Sequence, residues 1–123
     1  MEKLLIQATE DSPRIELDAQ NNVFKISERS LPENSVLFYQ PVIDWLTEYK
    51  KNPNAQTTFE IKLEYFNTSS SKQIAKILLI LEEISKKSEV LVKWFYAEND
   101  RDIHSSGIRY SKLINIKFDF IKF

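Results

Sequence analysis

Residues 59–65 alternate without a break: Phe59, Ile61, Leu63 and Tyr65 are apolar, while Glu60, Lys62 and Glu64 are charged. That is the period of a strand with one buried and one wet face. From Ser70 to Lys87 the period changes, and Ile74, Ile77, Leu78, Leu81 and Ile84 fall on one stripe of a helix. VLVKWFYA at 90–97 has no polar face and is rich in β-branched and aromatic residues, which predicts a strand lying mid-sheet. Ile114, Ile116, Phe118 and Phe120 alternate with Asn115, Lys117 and Asp119 and predict a closing strand. Near the start, apolar or alternating runs at Leu4–Gln7, Arg14–Ala19 and Val23–Ser27 are parted by the turn formers DSP and QNN, as in an antiparallel opening.

SLPENS at 30–35 ends the strand pattern and offers Asn34 or Ser35 as a helix N-cap. Over Val36–Lys50 the residues Tyr39, Val42, Ile43, Leu46 and Tyr49 share a helical face. Pro41 must either kink this helix or open its main segment, and a break near Pro41 is expected. KNPNAQ at 51–56 reads as a loop, and ENDRDIHSSGIRYSKL at 98–113 as a loop plus a short helix interrupted at Gly107. The order is βββαβαβ(α)β. Strand–helix–strand crossovers imply parallel pairs with right-handed connections. The expected fold is a two-layer α/β sandwich, a mixed sheet of about five to six strands against two to three helices, with one sheet face partly solvated.

A chain of 123 residues that is 42% hydrophobic can bury one sizeable core, so residues 1–123 are read as a single domain. The formal net charge of −1 offers no general attraction to nucleic acid or to an anionic membrane. With no cysteine there is neither a disulfide nor a thiolate nucleophile, and the expected compartment is the cytoplasm. The start, MEKLLIQATEDSP, holds an apolar run too short for a signal peptide, and IAKILLIL at 74–81 is too short to span a bilayer. A single glycine, Gly107, excludes the glycine-rich loops that cradle nucleotide phosphates, and no cofactor is expected.

Catalytic constellations are sparse. The lone histidine, His104, sits in a polar stretch without an orienting acid or a nucleophile at recognisable spacing, which leaves a small hydrolase with little support. END at 98–100 lacks the spacing and glycine of a calcium loop, and no metal site is expected. Glu82 and Glu83 are neighbours on a helix and point about 100° apart, so they read as surface charges rather than an acid/base pair. Trp94, Phe95 and Tyr96 have no basic stripe beside them and read as strand residues, not as a base-stacking platform.

One stretch is over-supplied with hydroxyls. NTSSS at 67–71 lies where a parallel strand hands over to a helix, at the carboxyl edge of the sheet where α/β folds place their sites. Thr68 or Ser69 would serve as the helix cap. A hydroxyl here is also a good phosphoryl acceptor, because free N–H groups and the positive end of the helix dipole stabilise an added phosphate.

LPENSVLFYQPVIDW at 31–45 and LEYFNTSSSKQIAKILLILEEI at 63–84 resemble the SiaC family of bacterial regulatory phosphoproteins, a likeness that spans most of the chain. That family in turn resembles the STAS domains of anti-sigma factor antagonists, whose D-S-S-G turn before the second main helix carries a phosphorylated serine. Here N-T-S-S stands in that place, with Ser70 where the STAS motif has glycine. The resemblance implies a STAS-like fold and makes Thr68 the phosphoacceptor, with Asn67 at the acidic position. It further implies a non-enzymatic partner switch. A histidine-kinase-like serine/threonine kinase adds the phosphate, a PP2C-type phosphatase removes it, and the unmodified form binds an effector. The effector implied is a GGDEF-type diguanylate cyclase, tied to cyclic di-GMP and biofilm formation.

Phosphate adds about −1.5 to −2 charges at neutral pH and would repel an acidic partner without unfolding the domain. Asn67, Ser69, Ser70, Ser71 and Lys72 are the expected partner-binding residues. Leu79 joins them from the side of the helix opposite its core stripe. Lys72 is either simply solvated or steers a kinase or an acidic effector. PENS at 32–35 borders the same surface or is only a helix entry. The alternative is a small-molecule-binding STAS-like sensor in which NTSSS lines a polar pocket.

Overall fold

The computed structural model describes residues 1–123. Strands β1 (Leu4–Ile6), β2 (Arg14–Asp18) and β3 (Val23–Ser30) open the chain. Helix α1 (Ser35–Tyr49), strand β4 (Gln56–Phe66), helix α2 (Thr68–Ile84), strand β5 (Glu89–Tyr96), helix α3 (Arg101–Leu113) and strand β6 (Lys117–Lys122) follow. The six strands lie in the sheet in chain order, β1 to β6. The β1–β2 and β2–β3 pairs are antiparallel, and β3–β4, β4–β5 and β5–β6 are parallel. Three successive parallel crossovers in one direction, all of the usual hand, put the helices on the same face of the sheet. The result is a two-layer α/β fold with a mixed sheet. β5 is an interior strand as expected, though one place from the edge, because β6 pairs beyond it.

The core is the apolar alternation of the strands pressed on the helix stripes. Ile15, Leu17, Phe24, Ile26, Phe59, Ile61 and Val92 meet Tyr39, Val42, Leu46, Ile74, Ile77 and Leu81, all fully or almost fully buried. The other face is open, and its charges are matched in sign across neighbouring strands. One row crosses the whole sheet as Leu5, Glu16, Lys25, Glu60, Lys93 and Asp119, so that acid and base alternate on neighbouring strands. Opposite charges on adjacent strands attract by about 0.2–1 kcal/mol per pair. A sheet face built this way can meet water without a second layer of helices.

Three local expectations are corrected. The break foreseen near Pro41 is absent, and α1 runs through it. Pro41 costs the bond to the Leu37 carbonyl, but it lies on the exposed side of the helix, where water can take that carbonyl. Residues 101–113 form one continuous helix rather than a loop and an interrupted turn. Gly107 does not break it; a Cβ there would stand 2.5 Å from Trp94 Nε1, so glycine is what lets α3 lie against the indole. The closing strand begins at Lys117, three residues later than the alternation from Ile114 suggested.

A fourth correction bears on the site. Tyr65, expected on the apolar face with Leu63, is half exposed. The β3–β4 register slips here: Glu28 pairs with Leu63 but Arg29 pairs with Tyr65, leaving Glu64 extra. Glu28 takes a positive φ of 78° at this bulge. Beyond it Phe66 replaces Tyr65 on the core side and packs edge-on against Trp94 with ring centroids 6.1 Å apart. Its partner Ser30 is fully buried.

Candidate functional site

The hydroxyl turn forms the start of α2, as the alternation and the helical stripe together predicted, but its cap is Asn67. The Asn67 side chain accepts from the Ser70 N–H at 2.9 Å and from the Ser69 hydroxyl at 3.2 Å. Thr68 and Ser69, the expected caps, are the first two helical residues. Asparagine wins because its carbonyl reaches the orphan N–H groups of the first turn from the extended conformation that a cap requires, φ −85° and ψ 175°.

The four hydroxyls then have different fates. Ser70, expected on the partner-facing surface, is fully buried and donates to the Ser30 main-chain carbonyl at 3.0 Å. It is unavailable to a partner because its side chain points between α2 and β3. Ser71 is half-buried and donates to the Thr68 carbonyl at 2.6 Å. Ser69 is exposed and bonded to the cap. Thr68 is exposed, and its hydroxyl is the one in the turn that bonds to nothing within the chain.

Beneath the turn runs a buried chain of hydroxyls that spacing did not reveal. Ser30 Oγ donates to Ser70 Oγ at 2.9 Å and lies 2.6 Å from Tyr39 Oη. A hydroxyl has one proton to give, so Tyr39 is the donor to Ser30. The order is Tyr39 to Ser30 to Ser70 and back to the Ser30 carbonyl, which also accepts the Asn67 N–H at 3.1 Å. Burial pushes the Tyr39 phenol up to about 12, against a smaller opposing pull from its bond to Ser30. From the other flank Tyr110 of α3 donates to the Ser71 carbonyl at 2.7 Å, and burial raises its phenol as well. The first turn of α2 is thus tied to β3, α1 and α3. Ser30 and Ser70 are 40 residues apart, Tyr39 does not stand out from its helical stripe, and Tyr110 falls in the stretch read as a loop and an interrupted helix.

Outward from Thr68 the surface is a ridge of α2. Lys72 is one turn on, and Leu79 lies about 16 Å along the axis within about 20° of the same direction. Lys72 and Lys76 are exposed, and Leu79 is 48% exposed. On the side toward α1 an open groove is lined by Thr9, Ser12, Glu33, Asn34, Leu37 and Ser69, so PENS does border the hydroxyl turn. There Asn34 caps α1, accepting from the Leu37 N–H at 3.0 Å. Val36 and Leu37 are exposed on its first turn.

Other candidates fall away. His104, expected in a polar loop, is on α3, stacked flat on Tyr96 with centroids 3.9 Å apart and edge-on to Phe120. Its surroundings are aromatic rather than an acid and a nucleophile. No group of three or more His, Asp or Glu side chains gathers to hold a metal ion. No helix is long and apolar enough to cross a membrane.

Comparison with known proteins agrees with this architecture. The sequence model of the family described as SiaC family regulatory phosphoprotein matches residues 6–123. An uncharacterized protein of Pseudomonas aeruginosa strain UCBPP-PA14 is 33% identical over 97 residues, covering 78% of this chain and 77% of that protein. The structure of SiaC of Pseudomonas aeruginosa superposes with a TM-score of 0.90 at 27% identity over 100% of both chains. SiaC in the crystal structure of the diguanylate cyclase SiaD in complex with its activator SiaC, from the same organism, gives a TM-score of 0.90 at 26% identity, covering 98% of this chain and 99% of that one.

Proposed function

This chain belongs to the SiaC family of regulatory phosphoproteins, and on that premise we propose that it is a non-enzymatic, cytoplasmic phospho-switch whose acceptor is Thr68. The observation that carries the proposal is the unequal fate of the turn's hydroxyls. Ser70 and Ser71 are spent on main-chain carbonyls and Ser69 on the cap, while Thr68 Oγ1 is free and faces solvent.

In the transfer, Thr68 Oγ1 attacks the γ-phosphorus of ATP held with its metal by a serine/threonine kinase of the histidine-kinase-like type. The bond from that phosphorus to the bridging oxygen breaks, ADP leaves with the electron pair, and the threonine proton passes to a base on the kinase. A PP2C-type phosphatase returns the hydroxyl by hydrolysis. Thr68 is the first helical residue, so the phosphate meets the positive end of the α2 dipole and the fold tolerates it.

The unmodified form binds the effector, a GGDEF diguanylate cyclase by analogy with the SiaD–SiaC complex, and so enters cyclic di-GMP signalling. Lys72 and Lys76 give the ridge beside Thr68 two positive charges, and Leu79 gives it an apolar contact. A phosphate of about −1.5 to −2 charges nearly cancels those lysines and adds a desolvation cost to any tight interface. Asn67, Ser69 and Ser71 frame the acceptor. The sensor alternative would place a ligand in the groove beside Ser69, but that groove is open to solvent along its length and lacks the enclosure of a small-molecule site.

The test is to incubate the protein with the cognate kinase and ATP and map the phosphate by mass spectrometry. The expected result is one phosphate at Thr68, absent in Thr68→Ala. A phosphate that persists in Thr68→Ala, or lies at Ser69, overturns the assignment. Titrating the cyclase with unmodified and phosphorylated protein should show activation by the first only.

A further inference from the structure

The buried hydroxyls beneath the turn do more than fill a gap between β3 and α2. A methyl-sized apolar side chain at Ser30 or Ser70 would fill the same space, yet each of these hydroxyls is bonded, and all three groups of the chain are buried. They are arranged around one acceptor, the Ser30 carbonyl, which takes both the Ser70 hydroxyl and the N–H of the cap Asn67. The bulge at Glu28 and Glu64 precedes this carbonyl and sets the register in which Ser30 pairs with Phe66, the residue before the cap. Strand β3 therefore holds the α2 start at both the cap and the third helical residue. The intervening residues, Thr68 and Ser69, have little freedom left.

Resting on the reading of Thr68 as the phosphoacceptor, we propose that Ser30 and Ser70, with Tyr39 behind them, are positioning residues for phosphoryl transfer. They fix the first turn of α2 so that the Thr68 hydroxyl is presented in one orientation and the Ser70 hydroxyl is withheld. In-line transfer depends on the angle and distance at which the acceptor oxygen meets phosphorus. A misplacement of about 1 Å can cost as much as a hundredfold in rate. None of the three residues lies on the surface that a kinase would grip, so their loss should act on the chemical step and leave acceptor recognition alone.

The experiment measures kcat and KM for the cognate kinase with wild type, Ser70→Ala, Ser30→Ala and Tyr39→Phe as acceptors, with phosphate mapped in each. Expected is a fall in kcat of about tenfold or more for Ser70→Ala and Ser30→Ala, with KM within twofold. A smaller fall is expected for Tyr39→Phe, which keeps its ring packing and loses only the donor to Ser30. Ser70→Thr, which restores the hydroxyl, should recover part of the rate. Exchange of the bonded amides of Asn67, Ser70 and Ser71 should quicken in Ser70→Ala while α3 and β5 keep their protection, separating local loosening from global destabilisation. Should one variant fail to fold, the others carry the comparison. If wild type takes phosphate at Thr68 and the folded variants match its kcat, or raise KM alone, the positioning role is overturned and the acceptor assignment stands. If wild type takes no phosphate at Thr68, the assignment itself fails, and this inference with it.

Discussion

Gly107 and Trp94 are in direct contact across the α3–β5 interface: a Cβ on the glycine would meet Nε1 of the indole at 2.5 Å and Cδ1 at 2.6 Å. Trp94 is fixed in that position by its own bond from Nε1 to the Ile103 carbonyl at 2.9 Å and by Tyr110, whose ring centroid is 5.6 Å away. Neither partner can yield easily. Gly107→Ala should therefore destabilise the fold by about 1–3 kcal/mol through overpacking, although alanine would gain about 1 kcal/mol in helix propensity. Urea denaturation reads the difference, and a variant as stable as wild type would show that α3 shifts freely.

Asn67 is predicted to stabilise α2 through its side-chain carbonyl, independently of any phosphate. Asn67→Ala should lose about 1 kcal/mol of stability by denaturant titration, and Asn67→Asp should lose little, since a carboxylate caps equally well and suits the helix dipole. Equal losses in both would mean that the amide itself is required.

The raised phenol of Tyr39 makes a pH prediction. Its value is near 10 in the unfolded chain and about 12 in the folded one. The folded state thus favours the protonated form, and the contribution is fully present below pH 10 and is lost as the pH rises toward 12. Stability should fall by up to about 1.4 kcal/mol per pH unit in that window for this one group. Tyr110, also raised, adds to the same slope. Tyr39→Phe should flatten the profile measured by denaturation between pH 8 and 11.5; an unchanged slope would assign the effect elsewhere.

On the open face, Lys93 sits between Glu60 and Asp119 on the neighbouring strands. Lys93→Glu would set three acids in a row and should cost about 1 kcal/mol, with part recovered in 1 M salt. A neutral outcome, insensitive to salt, would show that water screens the row completely.

Much of this architecture is legible along the chain because the relevant forces are local and periodic. Alternation at Phe59–Leu63 and the stripe Ile74–Ile84 each report a single element with a single buried face, and both stand in the structure as read. The position of NTSSS at a strand-to-helix junction is equally local. Pro41 and Gly107 misled because their effects depend on surroundings: exposure of the Leu37–Pro41 side in one case, an indole from another element in the other.

The identity of the acceptor is divided in the same way. Four candidate hydroxyls in a row at a helix start follow from residue type and place in the pattern, although the cap is Asn67 rather than Thr68 or Ser69. Which hydroxyl is free does not follow, because a side chain's availability depends on what reaches it from elsewhere. Ser70 is withdrawn by a carbonyl 40 residues upstream. Ser30 arrives there by way of a bulge that no alternation announces. Tyr110 closes the other flank from α3, a helix that packs against Trp94. Ser69 and Ser71 are taken up locally, by the cap and by the Thr68 carbonyl, but the bond that withdraws Ser70 joins residues 40 apart and is set only when the layers pack.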